Sequence, residues 1–130
     1  MKKILFVCIE NSNRSQMAEA FAIIHGKNMV EASSAGSHPS GVINQKAIEA
    51  MKELDYDLTQ HFSKSVNDFE GEEFDFVITM GCGDDCPFIP AKHREDWQIP
   101  QPKDMDKVEF RKVRDEIERR VKALLAQFAN

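Results

Sequence analysis

From Lys3 to Cys8 the chain runs Lys-Ile-Leu-Phe-Val-Cys, a dense apolar stretch that passes directly into polar Glu10 to Ser15. Such a run, bounded by charge on one side and a polar loop on the other, is expected as a strand buried on both faces. From Arg14 to His25 the apolar residues Met17, Ala18, Ala20, Phe21, Ile23 and Ile24 recur at helical spacing, and Gly26 follows where a helix C′ residue belongs. A strand, a short loop and a helix in this order open a βαβ unit.

The remaining elements repeat the alternation. Met29 to Ala35 reads as a second strand, and Gly36, Pro39 and Gly41 punctuate the loop after it. Asn44 to Leu54 spaces Ala47, Ile48, Met51 and Leu54 as a helix, and Phe74 to Met80 is a third apolar strand. A Pro-rich stretch leads to a long amphipathic helix over Asp106 to Phe128. The expected fold is α/β, a three-layer sandwich around a small parallel sheet. With 130 residues, 42% of them hydrophobic and no repeat or linker, one domain over 1–130 is expected.

Several function classes fall away on composition. Lys+Arg 17 against Asp+Glu 22, a formal charge of -5, leaves no basic stripe for nucleic acid. No apolar stretch approaches the roughly 18 to 20 residues of a membrane span, and no signal-peptide pattern opens the chain, so a cytoplasmic protein without a membrane role is expected. Three cysteines argue against a secreted disulfide framework and for thiol chemistry or metal binding.

Cys8 sits at the carboxyl end of the first strand, five residues separate it from Arg14, and Ser15 begins a helix. Ligands of open α/β sheets bind outside strand carboxyl ends, and a helix N-terminus offers unpaired N–H groups and partial positive charge. The five residues Ile9, Glu10, Asn11, Ser12 and Asn13 are long enough to curl into a nest of inward N–H groups for a tetrahedral oxyanion. Arg14 would close the nest by taking two oxygens at once. The same positive surroundings favour a Cys8 thiolate, a nucleophile beneath the bound anion. Ser15 would donate to that sulfur, and Asn11 would hold the loop by bonding its own backbone.

The sequence Cys8-Ile9-Glu10-Asn11-Ser12-Asn13-Arg14-Ser15 resembles the anion loop of the low-molecular-weight protein tyrosine phosphatase superfamily. The likeness continues through Gln16-Met17-Ala18-Glu19, Ser34-Ala35-Gly36 and the Phe74 to Met80 strand, and implies a parallel sheet of about four strands. Glu10 departs from the glycine frequent in the superfamily and sets a carboxylate near the mouth of the anion site.

Cys82 and Cys86 follow the third strand, at the same sheet edge as Cys8, and they resemble the extra cysteines of the superfamily's thioredoxin-coupled arsenate reductases. Pro90 and Trp97 fit that branch as well. The resemblance implies that Cys8 attacks arsenate, Cys82 then attacks the Cys8 sulfur, and Cys86 resolves the disulfide for reduction by thioredoxin or a similar dithiol protein. It implies no metal or organic cofactor, and a monomer is expected. Glycines 81 and 83 would free this segment to move, with local unwinding on oxidation.

The superfamily's Asp-Pro general acid corresponds to Gln101-Pro102 here, and Gln has no proton to give. Asp104 and Asp106 stand as candidate replacements in a phosphatase working through a Cys8 phosphocysteine, which is the alternative reading. A noncatalytic oxyanion or redox sensor is a second alternative. A zinc site of Cys82, Cys86 and His93 would lack a fourth ligand. Trp97 is expected as core or loop anchor, and Tyr56 as too isolated to carry a role. His25, His38 and His61 are expected at the surface or at caps, and Arg111, Arg114, Arg119 and Arg120 on a solvated helix face.

Overall fold

The computed structural model describes residues 1–81 and 88–128. Four strands, β1 (Lys2–Cys8), β2 (Val30–Gly36), β3 (Phe74–Thr79) and β4 (Ala91–Asp96), form one parallel sheet in the order β2-β1-β3-β4. Three α-helices accompany them: α1 (Arg14–His25), α2 (Gln45–Lys52) and α3 (Lys107–Ala126). Short 3-10 turns at Leu58–Gln60 and Val66–Phe69 complete the described elements.

The continuous apolar run of β1 is explained by its central place, since every residue from Ile4 to Cys8 is buried. Alternate side chains serve opposite faces. Ile4, Phe6 and Cys8 join the larger core with α1, α2 and α3, while Leu5 and Val7 join Ala35, Phe74 and Val77 beneath Val66, Phe69 and Ile89. The expected α/β sandwich is the observed fold.

The fourth strand was not visible as one in the sequence, because Ala-Lys-His-Arg-Glu-Asp has neither apolar content nor alternation. It is an edge strand with mostly exposed side chains, held by its ladder to β3 rather than by burial. Helix boundaries contract to their caps. Asn44 accepts from the Lys46 amide at 2.8 Å and Asp106 from the Glu109 amide at 2.9 Å, so both cap helices and do not continue them. Gly26 does not take the left-handed C′ conformation expected of it, with φ at -111°. Glycine is needed there for closeness, since a Cβ would lie 2.6 Å from the Ala22 carbonyl and 2.7 Å from Val30.

One further expectation is corrected and one is narrowed. Arg114 is not on the solvated face: it is buried, donating to the Ala50 carbonyl of α2 and to Glu53 at the C-cap of that helix, and so ties α3 to α2. His61 stands at a cap, closing the turn Leu58–Gln60, but it is buried and not at the surface. Trp97 packs as expected, its ring 6.0 Å from that of Phe6.

The topology places the loop after β1 specially. The chain leaves β1 for β2 on one side and returns to β3 on the other, so the carboxyl end of β1 is the switch point of the sheet, the place at which ligands of such sheets bind. Cys8 is the last residue of that strand.

Candidate functional site

Residues 8–15 wrap around the N-terminus of α1. The carbonyls of Cys8, Ile9, Glu10 and Ser12 turn outward and accept from the amides of Ser37, His38, Ser40 and Asn44. With the carbonyls so engaged, none of the amides of residues 9–13 donates to an acceptor among the described residues. Asn11 has φ of 51°, in the left-handed region that asparagine tolerates, and this alternation of hand curls the loop into a nest. Gly36 makes the curl possible from below, because a Cβ there would meet the Ile9 carbonyl at 2.5 Å and the Asn11 amide at 2.9 Å.

Cys8 is buried, with Sγ 2.9 Å from the Ser15 hydroxyl. Asn11 Nδ2 donates to that hydroxyl oxygen at 2.7 Å, which leaves the Ser15 proton free to point at the sulfur. Asn11 does not bond its own backbone as expected. Its Oδ1 instead accepts from the Lys64 amide at 2.7 Å and from Gln16 at 2.8 Å.

Arg14 is buried under this loop. Its Nη1 donates to the Met80 carbonyl at 2.5 Å and the Ile99 carbonyl at 2.9 Å, while Nε has no partner among the described residues. A buried, unpaired guanidinium nitrogen is costly unless a ligand completes it. Burial draws the Arg14 pKa below its ordinary value, and the Cys8 sulfur, Asp96 and Glu10 oppose that change. Asn13 caps α1 without a side-chain bond, and its Oδ1 is likewise buried without a partner among the described residues.

A polar network that sequence reasoning missed supports the loop. Gln16 Nε2 donates to the Asn11 carbonyl, Asn11 Oδ1 and the Phe62 carbonyl at 3.1, 2.8 and 2.7 Å. Its amide oxygen therefore faces His61 Nδ1, 3.0 Å away, which donates. His61 Nε2 is then left to accept from the Tyr56 hydroxyl at 2.7 Å. Burial holds the His61 pKa below its ordinary value against the pull of Glu19, and burial pushes Tyr56 up to about 12. Both shifts suit a neutral ring accepting from a protonated phenol. Histidine and tyrosine five residues apart leave no local signature; only the turn at Leu58–Gln60 joins them.

The other candidates are dispersed. Cys82 and Cys86 lie outside the described residues, and with them the relay, the oxidative unwinding and the zinc reading. Gly81, where that segment begins, has φ of 81° and donates its amide to Asp96 at 3.1 Å. His93 is on β4, paired with Glu95. Asp106 is occupied as the cap of α3, and Asp104 is exposed in the turn before it. Glu10 pairs with Lys103 at 3.6 Å.

Residues 3–130 match the family described as low molecular weight phosphotyrosine protein phosphatase. A Synechocystis protein named glutaredoxin arsenate reductase is 36% identical over 132 residues, covering 99% of this chain and all of its own. A solved arsenate reductase in its phosphate-binding state superposes with a TM-score of 0.89 at 35% identity, covering 99% of this chain and all of that one. A Corynebacterium glutamicum thioredoxin-dependent arsenate reductase gives 0.83 at 34% identity, over 98% of this chain and 62% of that one. No helix among the described residues is long and apolar enough to cross a membrane.

Proposed function

The chain belongs to the low-molecular-weight phosphotyrosine protein phosphatase family, and from that premise we propose that it is an arsenate reductase working by a thiol relay from Cys8 through Cys82 and Cys86. The observation that carries the reading is the buried Cys8 sulfur, 2.9 Å from Ser15 Oγ, beneath a loop whose amides, with Arg14 Nε, have no acceptor among the described residues. The reductases among its relatives supply the substrate class.

In this reading the amides of residues 9–13 and Arg14 hold three oxygens of arsenate. Cys8 thiolate attacks arsenic and one oxygen leaves as water after protonation, giving a sulfur–arsenic bond. Cys82 thiolate attacks the Cys8 sulfur, the bonding pair passes to arsenic, and arsenite departs reduced by two electrons. Cys86 thiolate attacks the Cys82 sulfur and frees Cys8, leaving a Cys82–Cys86 disulfide. A dithiol reductant of the thioredoxin type, in the cytoplasm, closes the cycle. No metal or organic cofactor enters these steps. The water leaving group needs less help from a general acid than an alkoxide would, which suits Gln101 where phosphatases carry Asp.

The test is arsenate turnover with thioredoxin and, separately, with glutaredoxin and glutathione. Wild type turns over with thioredoxin, Cys8→Ser is inactive, and Cys86→Ser stops after one equivalent of arsenite. Parent-rate turnover by Cys86→Ser with thioredoxin would overturn the relay. Hydrolysis of an aryl phosphate that exceeds arsenate turnover and is lost in Asp104→Asn would point to the phosphatase instead.

A further inference from the structure

The residue that breaks the family pattern in the anion loop is Glu10, and the structure pairs its carboxylate with a lysine. Its backbone is fixed, the carbonyl accepting from the Ser40 amide at 3.1 Å and the Ser63 hydroxyl at 3.0 Å. Its carboxylate lies close enough to Arg14 to act on that guanidinium by charge, and by itself it would repel a dianionic oxyanion held there. Lys103 Nζ lies 3.6 Å from Glu10 Oε2.

Lys103 is held in place by contacts remote from its own ammonium. Its carbonyl accepts from Lys46 Nζ of α2 at 3.1 Å, and the Met105 carbonyl accepts from the same nitrogen at 2.7 Å. Upstream, the Ile99 carbonyl is bound by Arg14 Nη1 at 2.9 Å, and the Met105 amide closes a turn on the Pro102 carbonyl at 3.0 Å. The stretch 99–105 is thus pinned to the anion loop at one end and to α2 at the other, with Lys103 between the two pins.

We propose that Lys103 is a positioning residue for anion entry: its ammonium neutralises Glu10 at the mouth of the Cys8 loop and lets this chain carry a carboxylate where an anion binds. The pair sets affinity and salt sensitivity, and takes no part in bond making. Glu10 and Lys103 stand as a unit, so that the lysine matters because the glutamate is there. The inference rests on the proposed oxyanion site, and its test reads inorganic phosphate binding as well as arsenate turnover.

Wild type, Lys103→Met, Glu10→Gln and the double variant are compared by calorimetric phosphate titration and by arsenate kinetics at low and moderate salt. Lys103→Met is expected to weaken phosphate and raise the arsenate KM by about five-fold at low salt, with kcat within two-fold of the parent. Glu10→Gln tightens phosphate, and in its background Lys103→Met changes affinity by less than two-fold. An equal loss in both backgrounds, or no loss in the first, overturns the proposal. Unchanged melting temperatures across the set exclude a folding defect as the cause. If wild type binds phosphate but does not reduce arsenate, the reductase reading fails while the phosphate cycle still decides the role of Lys103.

Discussion

The hydroxyl of Ser15 lies 2.9 Å from the sulfur of Cys8 and is itself held by Asn11 at 2.7 Å, so the serine proton is directed at that sulfur. In the proposed reaction that sulfur attacks as a thiolate, and a hydrogen bond to a charged group contributes about 1.5–3 kcal/mol. Ser15→Ala is therefore expected to lower kcat for arsenate by roughly 10- to 100-fold with little change in KM. Steady-state kinetics beside a thermal melt separate this loss from instability.

Gly36 offers a purely steric handle on the same loop. A Cβ there would sit 2.5 Å from the Ile9 carbonyl and 2.9 Å from the Asn11 amide, both backbone atoms with no rotamer to yield. Gly36→Ala should displace the loop, weaken phosphate binding by roughly ten-fold or more and cost about 1–3 kcal/mol of stability. Titration calorimetry and chemical denaturation check both figures. Unaltered phosphate affinity would mean that the loop does not rest on β2.

Acidification should loosen the support beneath the loop through His61. Its folded pKa lies below the unfolded value, so between the two the unfolded chain binds more protons and stability falls as pH drops. The contribution is fully present above about pH 6.5 and is lost as pH falls through the folded value. Melting temperatures from pH 7 to 5 should decline more steeply for wild type than for His61→Gln, and parallel curves would remove His61 from the account.

Arg114 predicts a loss of stability without a direct loss of chemistry. It donates to the Ala50 carbonyl at 2.9 Å and to Glu53 at 2.7 Å, and Glu53 is held down to about 2 by hydrogen bonds from Arg111 and Arg114. Arg114→Ala strands a buried carbonyl and should cost about 2 kcal/mol, a fall of roughly 8 °C in Tm. Arsenate turnover well below the melting range should stay near the parent value.

What the residues disclosed by themselves was everything that depends on local repetition. The run of β1, the spacing of Met17, Phe21 and Ile24, the apolar stripe of α3 and the five residues between Cys8 and Arg14 each state a face, a strand end or a loop length within one stretch of chain. Burial of a continuous face imposes those periods, so they can be seen without the fold. The tertiary structure alone decided how the site is braced. Arg14 meets carbonyls 66 and 85 residues away, Gln16 reaches His61 over 45, Glu10 finds Lys103, and β4 exists because β3 offers it an edge. Backbone carbonyls and edge ladders have the same chemistry in every sequence, so which of them a side chain will meet is set by the packing of distant segments and leaves no pattern along the chain.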